Sequence, residues 1–156
     1  SLIIDDTYNS SPFACEAALR TLGEIKCRIE GCRKIAVLGD MLELGKHTIE
    51  AHKNIGKLAK EVLNHTDDTL VVVGPRAKSI KEGALEAGMN GENIFEFLDS
   101  REVGEFIKTF IKKGDVVLIK GSQGMRMERV VETIMLAQAD KYNLLVRQDP
   151  EWLKKN

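Results

Sequence analysis

The sequence lacks the features that would assign a function by themselves. It contains neither a GxxxxGK run followed by Ser or Thr nor GxGxxG, so it carries no P-loop and no dinucleotide fingerprint of its own. Its longest apolar runs fall far short of the roughly 20 residues a bilayer span needs, and nothing at its start reads as a signal peptide. A cytoplasmic protein with no membrane partner is the expectation. Neither sign of charge is in excess: the formal net charge is −1, which gives no basic surface for nucleic acid. Cysteine is scarce, with only Cys15, Cys27 and Cys32. The count is odd and no Cys-x-x-Cys pair occurs, so reduced thiols are expected rather than a disulfide framework. A zinc site at Cys27 and Cys32 lacks two further ligands at suitable spacing. No internal repeat or low-complexity linker is present. The first strand begins without an initiating Met, which reads as a piece cut from something longer.

What is there is an alternation of periods. The 156 residues, 43% apolar and 30% charged, suit a single domain, 1–156, that buries about 70% of its unfolded surface. Continuous apolar runs at 2–4, 35–38, 70–73, 94–97 and 116–119 read as strands covered on both faces. The run at 94–97 carries Glu96 and belongs nearer an edge. Leu144, Leu145 and Val146 offer a further edge strand, and the chain from Pro150 is expected to fray. Between these runs the period becomes helical. Ala14, Ala17, Ala18, Leu22 and Ile25 form one stripe behind Pro12, and Ile55, Leu58, Ala59, Val62 and Leu63 another. Val103, Phe106, Ile107, Phe110 and Ile111 follow Asp99 as N-cap, with Glu102 three residues on. Met127, Val130, Val131 and Ile134 form the last stripe, and a shorter helix runs from about 76 to 86 and stops at Gly88. Helical crossovers between strands predict a three-layer α/β domain with a mostly parallel sheet of five or six strands.

In such a sheet, ligands bind beyond the carboxyl ends of the strands. Two of those ends are chemically loaded: Asp5-Asp6-Thr7-Tyr8-Asn9 and Lys120-Gly121-Ser122-Gln123-Gly124. Together they suit a polar, phosphorylated ligand. Each also has a plain structural reading, the first as a strand end and helix entry, the second as a tight strand-to-helix turn rather than an anion cradle. Asp40 and Glu43, in the glycine-bounded loop from Gly39 to Gly45, either bind a cation or amine or cap the next helix. His52 reads as a packed or hydrogen-bonded residue, His47 and His65 as surface, Met125 and Met127 as core. Trp152 has no informative neighbours.

Taken in order, three motifs carry a resemblance. They are Asp5-Asp6-Thr7-Tyr8-Asn9-Ser10-Ser11-Pro12, then Leu38-Gly39-Asp40-Met41-Leu42-Glu43-Leu44-Gly45 with His52 beyond it, then Lys120-Gly121-Ser122-Gln123-Gly124-Met125-Arg126-Met127-Glu128. The chain resembles the C-terminal domain of the Mur ligases up to about Gln138. The nearest branch joins D-alanyl-D-alanine to UDP-N-acetylmuramoyl-tripeptide in peptidoglycan synthesis. The resemblance implies a Rossmann-like domain that closes over the site of a three-domain, ATP-dependent amide ligase. Its N-terminal domain would hold the UDP-sugar, and its central domain the P-loop, Mg²⁺ and most ATP contacts. No complete catalytic set and no metal site are implied for this domain, which alone is expected to be inactive. Asp6 matches the residue that hydrogen-bonds the ATP ribose, and Tyr8 and Asn9 face the phosphates and reaction centre. Lys120, Gly121 and Ser122 match the side of the incoming amine, with Lys120 on the dipeptide carboxylate. Asp40 and Glu43 match a loop that closes or supports that pocket. The chain departs from the family at Ser11, where Asn is usual, and at Gln123 and Gly124, where an Arg and a hydroxyl are usual. It also runs on longer than usual after Gln138.

Two other classes share part of this pattern. A response-regulator-like phosphoacceptor domain also places acids after its first strand and Lys after its last, but it needs an acceptor Asp after the third. A non-catalytic nucleotide-binding module would need only the rim.

Overall fold

The structure, a computed structural model, describes residues 2–6, 11–27, 30–41, 44–121, 125–138 and 145–148. Six strands occur among them: β1 (Leu2–Asp6), β2 (Lys34–Gly39), β3 (Thr69–Val73), β4 (Ile94–Phe97), β5 (Val116–Lys120) and β6 (Leu145–Gln148). They alternate with helices α1 (Pro12–Glu24), α2 (Thr48–Val62), α3 (Lys78–Glu86), α4 (Ser100–Phe110) and α5 (Glu128–Gln138). Local chemistry sets several boundaries. Ser11 Oγ accepts from the Ala14 N–H at 3.1 Å, and Pro12 takes the first helical position, where a missing N–H leaves no bond unmade. Asp99 caps α4 as its spacing predicts, accepting from the Glu102 N–H at 2.9 Å. Gly88, at φ +100, follows α3.

Every strand pair is parallel, in the order β4-β3-β2-β5-β1-β6. The sheet is therefore fully parallel and six strands wide, and β4 and β6 are its edges, as their sequences suggest. β4 shows why Glu96 is tolerated there: Phe95 and Phe97 pack on Phe106, with ring centroids 4.8 and 5.1 Å away, while Glu96 reaches Lys81 at 3.5 Å.

Side chains alternate across the sheet and split the core in two. Ala36, Leu38, Leu70, Val72 and Leu118 meet Leu19 and Leu22 of α1, Leu58 of α2 and Ile80 of α3. Ile35, Val37, Val71, Val73, Val117 and Ile119 meet Val103 and Ile107 of α4 and Val130 and Ile134 of α5. Helices α2 and α3 cross at backbone distance, because a Cβ on Gly56 would strike the Ile80 carbonyl and one on Gly83 the Lys53 carbonyl.

One expectation is corrected. Cys27 and Cys32 form a disulfide, their Cα atoms 5.6 Å apart, while Cys15 is free and buried. The turn through Gly31, at φ +79, brings the two thiols within bridging distance; an odd cysteine count carries no information about such a local approach. Among the described residues no helix is long and apolar enough to cross a membrane.

Candidate active-site rim

The connections leaving the sheet diverge at its centre. From β2 the chain passes through α2 to β3 on one face, whereas from β5 it passes through α5 to β6 on the other. Such a reversal opens a crevice at the carboxyl ends of the strands. β5 lies between β1 and β2, and Lys120 at its end is the register partner of Asp6 on one side and Leu38 on the other. The strand ends that carry the two loaded turns therefore meet on one rim, although 114 residues of sequence separate Asp6 from Lys120.

Just beyond the register, Gly39 and Gly121 face each other. A Cβ on Gly39 would come 3.4 Å from the Gly121 Cα, and one on Gly121 would strike Met127 Cγ. Met127 is fully buried and Met125 packs partly buried beside the same core, as expected for core residues. Lys120 follows Leu118 on the α1–α3 side of the sheet and is only 1% exposed. Its ammonium lies beneath the rim rather than on it.

The loop after β2 is tied down at two successive residues. Asp40, 1% exposed, accepts from the Ala77 N–H through Oδ1 at 2.6 Å and lies 3.5 Å from the Arg76 guanidinium. It thus satisfies the turn that leads into α3 rather than capping α2, which starts behind a 3-10 turn at Gly45–His47 with no side-chain cap. Gly74, at φ +104, makes room: a Cβ there would lie 2.6 Å from Asp40 Oδ1 and 2.8 Å from Met125 Cε. His52, wholly buried, accepts the Met41 N–H on Nε2 at 2.9 Å and donates Nδ1–H to the Thr48 carbonyl at 2.6 Å. That pattern requires the neutral imidazole protonated on Nδ1. His52 is a hydrogen-bonded structural residue, in agreement with its sequence reading.

Of the expected site residues, the backbones of Asp6, Asp40, Lys120 and Gly121 come together at the rim, with the Lys120 side chain buried. Tyr8, Asn9, Glu43 and Ser122 lie outside the described residues, as does the Asp6 side chain. Two residues, Arg126 quoted only within a motif and Arg129 just beyond it, turn out to be conspicuous. Arg126 adopts φ +52, the one positive value outside glycine among the described residues, and Arg129 stands one turn on in α5. With Leu98, Asp99, Ser100 and Met125 they line a cleft of about 260 Å³ on the same rim. Cations at the start of a helix, where acids are favoured, are the sequence signal that would have found them.

The chain matches the family described as Mur ligase, glutamate ligase domain, over residues 1–123. It belongs to the Mur ligase family. It is 31% identical over 134 residues to UDP-N-acetylmuramoyl-tripeptide--D-alanyl-D-alanine ligase from Bacillus subtilis (strain 168), covering 85% of this chain and 28% of that protein. Identity to the ligase of the same name from Buchnera aphidicola is 32% over 136 residues, covering 86% and 27%. Among solved structures, the MurF ligase of Thermotoga maritima in complex with ADP superposes with a TM-score of 0.66 at 32% identity, covering 90% of this chain and 29% of that one. MurF from Acinetobacter baumannii gives a TM-score of 0.68 at 29% identity, covering 86% and 28%. The chain therefore spans less than a third of the length of these relatives. A Mur ligase domain also accounts for what the phosphoacceptor reading could not: β3 ends at Val73 and is followed by Gly74, not an acid, and Asp40 follows β2 and accepts the Ala77 N–H.

Proposed function

We propose that this chain is the C-terminal domain of a three-domain, ATP-dependent ligase of the cytoplasm that joins D-alanyl-D-alanine to UDP-N-acetylmuramoyl-tripeptide in peptidoglycan synthesis. The observation that carries the reading is the register of Asp6 against Lys120 at the central crevice. The names of the relatives support the substrates. In the reaction, the tripeptide carboxylate attacks the γ-phosphorus of ATP, giving an acyl phosphate and ADP. The dipeptide amine then attacks the acyl carbon, loses a proton, and expels inorganic phosphate as the C–O bond breaks.

This domain contributes the rim that closes on those reactants. Asp6 accepts from the ATP ribose, and Tyr8 and Asn9 face the phosphates. Lys120, Gly121, Ser122, Asp40 and Glu43 build the side on which the amine enters. The hydrogen bonds to Asp40 and Met41 fix the start of that loop, and closure excludes water from the acyl phosphate. No three carboxylate, histidine or cysteine groups converge as a metal would require among the described residues. Mg²⁺ is assigned to the central domain, and no step passes through it here.

The test uses the complete ligase. Asp6→Ala is expected to raise KM for ATP roughly ten- to hundredfold, the worth of a hydrogen bond to a charged group. The isolated chain, given ATP and both substrates, should form no peptide; ligation by it alone would reject the reading.

A further inference from the structure

We infer that Arg126 and Arg129 form the subsite that holds the carboxylate of the incoming dipeptide. The inference rests on the ligase reading above and reassigns one role within it, because the Lys120 ammonium is buried beneath the rim.

Both arginines break a local rule. Arg126 is held in the left-handed region, which a side-chain-bearing residue adopts less readily than glycine. Arg129 follows Glu128 in the first turn of α5, where the helix dipole repels a cation. The Arg126 carbonyl accepts the Arg129 N–H at 3.1 Å, but among the described residues neither guanidinium makes an ion pair. Departures of this kind concentrate at sites of function.

Their surroundings select the ligand. Gly104 of α4 packs against Thr133 of α5, a Cβ there reaching within 3.1 Å of Thr133 Oγ1. Asp99 and Ser100 at the start of α4 and Arg129 in the first turn of α5 line the cleft. The acid lining it, Asp99, is spent on the Glu102 N–H. Two arginines therefore line the cleft against one acid, a net attraction for an anion. Leu98 and Met125 add apolar wall, which suits the methyl group of an alanine beside its carboxylate better than a bare phosphate. The cleft connects to the amine side through Met125, whose methyl lies against Gly74 and so beside Asp40.

The experiment compares D-alanyl-D-alanine with its C-terminal carboxamide as amine substrates of the complete ligase. Wild type should favour the carboxylate in kcat/KM. Arg126→Gln/Arg129→Gln should raise KM for the dipeptide roughly ten- to hundredfold, leave the carboxamide little changed, and so erase the preference. Arg129→Gln alone and Arg126→Gly, which suits the left-handed backbone, should each remove part of it, and they serve if the double variant does not fold. If the variants keep the full preference of wild type, the subsite lies elsewhere and the inference fails. If wild type does not ligate D-alanyl-D-alanine at all, the ligase reading itself falls, and this assignment with it.

Discussion

The two ends of this sheet use charge in opposite ways. At the amino ends of the strands, Asp115, Arg33, Asp68 and Lys34 are absorbed by the fold. Asp115 takes Arg33 through both oxygens, at 3.1 and 2.6 Å, and the Lys112 N–H at 2.8 Å. Arg33 also donates to the Phe110 carbonyl at 2.8 Å and stacks its guanidinium 4.4 Å from the Phe110 ring. Asp68 receives the N–H groups of Lys34 and His65, and Lys34 reaches the Gly23 carbonyl at 3.0 Å. At the carboxyl ends, by contrast, glycines replace bulk, a lysine is buried under the surface, and two arginines face a cleft. Similar residue types produce an interlocked seam at one end, beside a cleft of about 400 Å³ lined by Arg33, Asp67 and Glu92, and a crevice between diverging loops at the other. The difference follows from parallel topology: loops leaving the carboxyl ends diverge to opposite faces and leave a crevice between them.

Breaking the seam should give the largest effect. Asp115→Ala strands the buried Arg33 guanidinium, whose side chain is 11% exposed, and is expected to cost about 3–5 kcal/mol. Urea unfolding of the chain measures it, and an unchanged midpoint would deny that this end is structural. Less costly is a cut at the other rim. His52→Leu leaves the Met41 N–H buried without an acceptor, for about 1–3 kcal/mol. His52→Gln, which can present an amide oxygen near the same place, should recover part of that loss in the same titration. The smallest effect belongs to an ion pair outside both rims, Lys53 with Glu86 at 2.9 Å across α2 and α3. The hydrogen bond and charge of Lys53 hold the Glu86 carboxyl below its ordinary range, and Glu86 raises the Lys53 ammonium. Glu86 therefore adds stability above its unfolded pKa that is lost as pH falls through the folded one. Lys53 adds stability below its unfolded pKa that is lost as pH rises through the folded one. Both groups are exposed, so Glu86→Gln should barely move the melting temperature at neutral pH and only slightly flatten its decline on the acid side.

How much of this was readable beforehand varied with the range of the interaction. The stripe from Val103 to Ile111 and the Asp99 cap identify α4, because a helix is specified by neighbours three and four residues apart. Glu96 marks an edge strand for an equally local reason. Asp40 was harder. Its sequence neighbours suggest a cap for α2, but its partner is the Ala77 N–H, 37 residues on, brought near when β2 pairs with β3. Lys120 reads as a rim cation until the packing of its strand puts it under cover. Cys27 and Cys32 were discounted on composition, though their union depends only on the turn between them.

Pattern and capping were thus enough to establish the alternating elements and the two charged turns, since each rests on neighbours within a few residues, and helical crossovers between the strands implied that the sheet is parallel. Which ends meet, which cation is hidden and which is offered were settled by strand order and by the crossing of helices. Those depend on pairing between distant segments, about which no single stretch of the chain carries information.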